Sequence, residues 1–162
     1  MIAIQITDLK KFMSVFLTGT AFDEFLLLEG SLTTFCTFQF DGHWQQDFFG
    51  DPENENTAPP VYTPWKDVRG YVYSLMKGKH LPLAFRFIFQ YPPAHIGALF
   101  ARHSVKTDPG EILSLSLNLR FDGSRLVLTT GTSLRTFSMD RTPDTLWDET
   151  VLAFLKKQQI AS

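Results

Sequence analysis

The chain reads as an α+β protein: an antiparallel sheet with helices packed on one face, built from two pseudo-repeats of strand, helix, long strand, hairpin and helix. Three observations predict this. Stretches of period-two hydrophobicity alternate along the chain with stretches of helical period. Phe38-Gln39-Phe40-Asp41-Gly42 returns as Leu119-Arg120-Phe121-Asp122-Gly123, the second Asp-Gly lying 81 residues after the first (41 to 122), half of the 162-residue chain. Strands joined by tight Asp-Gly turns run antiparallel, and the helices between them each carry one apolar stripe to bury.

Ile2, Ile4 and Ile6 alternate with Ala3 and Gln5, which predicts a short strand with one buried face. Thr7 is placed to cap a helix, with Asp8 in its first turn; Leu9, Phe12, Met13, Phe16 and Leu17 fall on one stripe and Gly19 is a natural stop. From Glu24 to Phe40 the signal is period two: Leu26, Leu28, Leu32, Thr34, Cys36, Phe38 and Phe40 are all even-numbered, with Gly30 in phase between them. A strand of that length exceeds the usual span, so a bulge or break near Gly30 is expected, and Cys36 is expected to be buried. Asp41-Gly42 predicts a two-residue hairpin with a return strand over 43–49. Residues 51–60 are acidic and rich in breakers, and read as a mobile surface loop. Thr63-Pro64 predicts a helix start, followed by the stripe Trp65, Val68, Val72, Leu75 and Met76 up to Gly78.

The second half opens with Leu83, Phe85, Phe87 and Phe89 as a strand. A helix follows from Pro92-Pro93, carrying Ile96, Leu99, Phe100 and His103. Leu113, Leu115, Leu117, Leu119 and Phe121 alternate with polar residues, the cleanest half-buried strand of the chain. Asp122-Gly123 turns it back into a strand over 125–130, which Gly131 breaks before a short strand at 134–139. Thr142-Pro143 caps a last helix with Leu146, Trp147, Val151, Phe154 and Leu155 inward. Its acids come early and its lysines late, as the helix dipole prefers.

At the offset of 81, Leu32, Thr34, Cys36, Phe38 and Phe40 map onto Leu113, Leu115, Leu117, Leu119 and Phe121, and Ile2, Ile4 and Ile6 map onto Leu83, Phe85 and Phe87. The closing helices align at 82, pairing Thr63 with Thr145 and Trp65 with Trp147. The expected organisation is a single domain over 1–162, with pseudo-repeats at about 1–78 and 82–158. This order of elements resembles the tandem units of the TATA-box-binding-protein fold and of sliding clamps, in topology alone. At the level of residues, four stretches carry a closer resemblance: Phe35-Cys36-Thr37-Phe38-Gln39-Phe40-Asp41-Gly42, Trp65-Lys66-Asp67-Val68-Arg69, Lys77-Gly78-Lys79-His80-Leu81-Pro82 and Thr129-Thr130-Gly131-Thr132-Ser133-Leu134. Through them the whole chain resembles a family of small bacterial proteins with no assigned function, a resemblance that implies no activity.

Composition narrows the function classes. The chain has 16 Phe, 4 Tyr and 3 Trp, which predicts a Phe-packed interior. A net charge of −2 argues against a protein held to nucleic acid mainly by phosphate contacts, while leaving room for a local basic patch. One cysteine allows no internal disulfide and no thiolate metal cluster. Asp8, Lys10 and Lys11 spoil a signal peptide, and no apolar run is long enough to span a membrane, so a cytoplasmic protein is expected.

No catalytic constellation stands out. His43, His80, His95 and His103 show no metal-ligand spacing, and no G-x-S-x-G is present. Neither a metal nor a cofactor is expected. Asp41 and Asp122 would form an acid–base pair only if the two hairpin tips met, and turn formation explains both. Two weaker features remain. Lys77, Lys79 and His80, with Arg86 close by in sequence, form the densest basic cluster, a candidate anion or nucleic-acid contact that a solvated helix C-terminus also explains. Thr130, Gly131, Thr132 and Ser133 are a candidate anion-binding loop through their backbone N–H groups. The expectation is a non-enzymatic binding or assembly module, using its sheet face or the seam between halves toward a protein partner or a second copy. The alternatives are a small-ligand or nucleotide-binding protein, enzymes included, and a clamp-like nucleic-acid binder.

Overall fold

A computed structural model describes residues 1–50 and 60–160; all but Pro60 of the expected acidic loop falls outside them. In chain order the elements are β1 (Ala3–Ile6), α1 (Leu9–Leu17), β2 (Leu26–Thr33), β3 (Thr37–Asp41), β4 (Thr63–Pro64), α2 (Arg69–Met76), β5 (Ala84–Gln90), α3 (Pro93–Arg102), β6 (Ile112–Phe121), β7 (Leu126–Leu134) and α4 (Thr142–Lys157). The strands pair antiparallel in one open sheet ordered β1-β7-β6-β5-β2-β3, with β4 beside β2. The fold is α+β, as the alternation of the two periods predicts. Each half runs strand, helix, strands and helix, but three strands (β2, β3, β4) precede α2 and two (β6, β7) precede α4. The sheet does not treat the two sets alike: β5 pairs with β2 and β6, whereas β1 is carried to the far edge against β7.

Phe85, Phe87 and Phe89 of β5, Leu115, Leu117, Leu119 and Phe121 of β6, and Leu126 and Leu128 of β7 make one buried face. All four helices contribute to the same core, through Phe12 and Phe16, Val72 and Met76, Ile96 and Leu99, and Trp147 and Leu155. The interior is built on aromatic rings. Phe16 stacks on Trp65 at 4.5 Å, and both rings pack against Phe87 and Phe89. The two buried indoles satisfy their N–H groups on backbone: Trp65 Nε1 donates to Phe16 O and Trp147 Nε1 to Ser116 O, each at 2.9 Å. The other face of the sheet carries Glu29, Ser31, Arg86, Ile88, Asn118, Arg120 and Thr129, all half-buried or exposed. No helix among the described residues is long and apolar enough to cross a membrane.

Several local expectations are corrected. The long run from Glu24 to Phe40 is two strands, and the break lies at Thr34-Phe35-Cys36 instead of Gly30. There Thr34 N donates to Cys36 O at 2.9 Å and the Thr33 and Thr37 hydroxyls meet at 2.9 Å. Cys36 therefore sits at a hairpin tip and is exposed. The anticipated irregularity does occur as a bulge between Leu27 and Glu29; it moves the core face from the odd-numbered Leu27 to the even-numbered Leu32.

Asp41-Gly42 is not a hairpin turn. Gly42 continues the edge, its N–H donating to Leu28 O at 2.9 Å and its carbonyl accepting from Thr63 N at 2.8 Å. A Cβ there would fall on the carbonyl oxygen of Leu27, so glycine is required by close backbone approach and not by a left-handed φ. The return strand over 43–49 reduces to a bridge between His43 and Tyr62, followed by one 3₁₀ turn, Gln46–Phe48. Asp122-Gly123 does turn a hairpin, as a four-residue loop with Gly123 at φ 95°. Asp122 Oδ1 accepts from the backbone N–H of Ser124 and of Arg125 at 2.9 and 2.8 Å. Thr63-Pro64 is a two-residue strand on β2, and helix α2 starts only after a 3₁₀ turn. Asp8, not Thr7, caps α1 by accepting from Lys11 N. Strand β7 runs straight through Gly131, and residues 135–141 form no strand, leaving Phe137 and Met139 exposed.

Candidate functional site

Beyond the C-terminal end of α2 the chain turns at Gly78 and runs back toward β5 through Leu81-Pro82-Leu83. Leu83 N donates to Thr33 O at 2.9 Å, which ties this segment to the base of the β2–β3 hairpin. Between them opens a groove of about 700 Å³, lined by Thr34, Phe35, Leu75, Met76, Lys77, Lys79, His80, Leu81 and Leu83 among others. Phe35, Leu81 and Leu83 are 91%, 73% and 65% exposed, so three apolar side chains face solvent around one groove. Its rim carries Lys77, Lys79 and His80 and, among the described residues, no carboxylate. The Thr34 hydroxyl on its wall has no hydrogen-bond partner among the described residues. A site of this kind holds an anionic group on its cations while burying an apolar one against Phe35 and the leucines.

Of the four basic residues singled out in the sequence, Lys77, Lys79 and His80 share this groove and Arg86 does not. Strand alternation places Arg86 between the buried Phe85 and Phe87, and so on the opposite face, away from the helices. There its Nη2 donates to Glu29 Oε1 at 2.5 Å. Arg86 lines a separate cleft of about 510 Å³ with Glu29, Ser31, Gln39, Asp41 and His43. Asp41 Oδ1 accepts from His43 N at 3.0 Å and contacts its Nδ1 at 2.6 Å. The hydrogen bond from the His43 backbone N–H, and then that from its ring, hold the Asp41 carboxyl below the ordinary carboxylate value. The N–H groups of Arg125 and Ser124 do the same for Asp122. Both carboxylates are therefore ionised at neutral pH, and they stand apart, one ending an edge strand and the other in the β6–β7 loop.

The candidate anion loop at 130–133 is a regular segment of β7. Its residues pair one for one with Leu117, Ser116, Leu115 and Ser114, so no loop of free N–H groups forms. Thr130 is buried; its hydroxyl donates to Asp148 Oδ1 at 2.5 Å and accepts from Ile2 N at 2.9 Å. It ties β1, β7 and α4 together. Among the described residues no group of three His, Cys, Asp or Glu side chains could hold a metal ion. Sequence reasoning found the cations of the groove and missed its apolar floor. Phe35 was hidden by the expectation of a strand through it; Leu81 and Leu83, flanking Pro82, were a readable apolar signal.

Fold and surface define the class: an α+β domain with one open antiparallel sheet, helices on a single face, and an apolar groove with a basic rim where α2 meets the β2–β3 hairpin. Residues 15–162 match a family of unknown function (DUF5721), and the chain belongs to that family. No curated protein and no solved structure matches the chain.

Proposed function

We propose that the chain is a non-enzymatic binding module that holds an acidic, apolar-anchored segment of a partner protein in the groove between α2 and the β2–β3 hairpin. The observation that carries this reading is the conjunction of three exposed apolar side chains, Phe35, Leu81 and Leu83, with Lys77, Lys79 and His80 around one groove. The apolar lining is mainly aliphatic, which suits leucine-like anchors better than stacked bases, and at a net charge of −2 the chain lacks the strong basic field that holds a phosphate backbone. Arg86 is turned away from the basic cluster, which further weakens a clamp on nucleic acid. The module acts in the cytoplasm, a placement supported by its single cysteine, exposed and free at the hairpin tip.

Fluorescence anisotropy with a labelled peptide of alternating Leu and Glu tests this. The wild-type chain binds it, and the double variant Lys77→Glu/Lys79→Glu binds about tenfold more weakly, as reversing two exposed ion pairs of ~0.5–1 kcal/mol implies. Phe35→Ala weakens binding without changing its salt dependence. Equal binding of the matching Leu–Lys peptide, or tighter binding of oligo-dT with a steep salt slope, overturns the reading.

A further inference from the structure

The face of the sheet away from the helices carries a charge pattern that is complementary to itself. Residues paired directly across antiparallel strands project to the same face. The register therefore sets Asp41, Glu29, Ile88 and Asn118 in one row across β3, β2, β5 and β6, and Gln39, Ser31, Arg86 and Arg120 in the next. Rows two residues apart are separated by about 7 Å and neighbouring strands by about 4.8 Å. On that lattice the line from Asp41 to Arg120 and the line from Glu29 to Arg86 share one midpoint, over the seam between β2 and β5. Acids lie on one side of it and guanidinium groups on the other.

Within one chain this pattern is only half satisfied. Arg86 and Arg120 are direct cross-strand neighbours, a repulsive placement. Glu29 answers Arg86, whereas Arg120 has no ion-pair or hydrogen-bond partner among the described residues. Asp41, although bonded to His43, keeps a side chain that is 75% exposed.

We propose that this face is the interface of an isologous homodimer, its occupant a second copy of the chain. A two-fold axis in the plane of the interface, passing through the shared midpoint, lays Arg120 of each copy over Asp41 of the other and Arg86 over Glu29. The two charge lines differ in direction by roughly 30° on this lattice, a mismatch that long arginine side chains span and that is comparable to the ordinary crossing of stacked sheets. The face is large enough. Six strands and about seven residues of length give on the order of 600 Å² of projected area per copy, close to the ~800 Å² per partner of ordinary stable interfaces.

Sedimentation equilibrium on the full chain tests the proposal, with far-UV circular dichroism establishing that each variant is folded. The expected result is a wild-type dimer that weakens with added salt. Arg120→Glu and Asp41→Arg each raise the dimer dissociation constant at least tenfold. Mixing these two variants restores the dimer, because each supplies the sign the other has lost, and the double variant within one chain restores it as well. If Asp41→Arg disturbs the His43 loop, Glu29→Arg mixed with Arg86→Glu gives the same test. A wild-type monomer at sub-millimolar concentration, a dimer indifferent to Arg120→Glu, or folded variants that fail to rescue one another each overturn it. Lys77→Glu/Lys79→Glu leaves the dimer intact, which keeps this proposal separate from the groove.

Discussion

Replacing Gly42 with alanine puts the backbone packing of the sheet edge to a direct test. The added methyl group would fall on the carbonyl oxygen of Leu27, and would also lie 2.6 Å from the Leu27 carbonyl carbon and 3.0 Å from Leu28 O. These are backbone atoms held by the β2 ladder, so no side chain can swing away. Relief requires the strands to part, which breaks the Gly42 N to Leu28 O bond and strains the two bonds that Gly42 O accepts from Thr63, at 2.8 Å from its N–H and 3.0 Å from its hydroxyl. Overpacking at ~1–3 kcal/mol and two or three hydrogen bonds at ~1 kcal/mol each give a loss of about 4 kcal/mol. At this chain length that lowers Tm by about 10 °C. Gly97→Ala is the matched control: nothing lies within 4 Å of its added Cβ inside α3, and helix propensity predicts a gain of about 0.5–1 kcal/mol. Thermal and urea unfolding followed by circular dichroism measure both. A Gly42→Ala chain within ~1 kcal/mol of wild type would refute the close approach and return Asp41-Gly42 to the status of an ordinary turn.

Trp65→Phe keeps the ring stacking on Phe16 but orphans the buried Phe16 carbonyl, and costs about 2 kcal/mol in urea unfolding. Thr130→Val removes the hydroxyl that joins Asp148 to Ile2 N and lowers stability by about 1–3 kcal/mol, with the extra loss of amide-exchange protection confined to β1. For Asp122 the folded pKa lies below its ordinary 3.8. Its contribution is thus fully present above the unfolded value and lost as pH falls through the folded one. The Tm difference between wild type and Asp122→Ala is therefore constant near neutrality and shrinks at acid pH; a difference that grows on acidification contradicts the assignment.

The parts of the fold legible in the sequence are those where one strand face meets one core. Phe85, Phe87 and Phe89, and Leu115 through Phe121, alternate without interruption, and their spacing alone predicts which side they bury. Helices α1, α3 and α4 follow from stripes of comparable clarity. Legibility fails along Leu26 to Phe40, because a bulge resets the phase after Leu27 and the hairpin turns on Thr34-Phe35-Cys36, residues with no turn signature. It fails again at Asp41-Gly42, where the same dipeptide serves two physical purposes: a turn at 122–123 and a close approach at 41–42. Of the candidate site, Lys77, Lys79 and His80 are contiguous and so visible. Their aromatic partner Phe35 comes from a hairpin some forty residues earlier, and the β2–β5 pairing, extended by the Leu83 N to Thr33 O bond, brings the two together.

The position of β1 sets a constraint on the order of events during synthesis. Residues 3–6 find their partners in residues 126–129, so the first strand of this sheet to be made is the last to be paired. At about 5–20 residues per second the nascent chain carries Ile2, Ile4 and Ile6 without their sheet neighbour for on the order of ten seconds. The five strands β2 to β6 can assemble in that interval through the β2–β3, β2–β4, β2–β5 and β5–β6 pairings; β7 then joins β6, and docking of β1 closes the edge left by β7. Truncating the first six residues should therefore leave a folded but marginal chain with a newly exposed edge on β7, prone to pairing with another copy of itself.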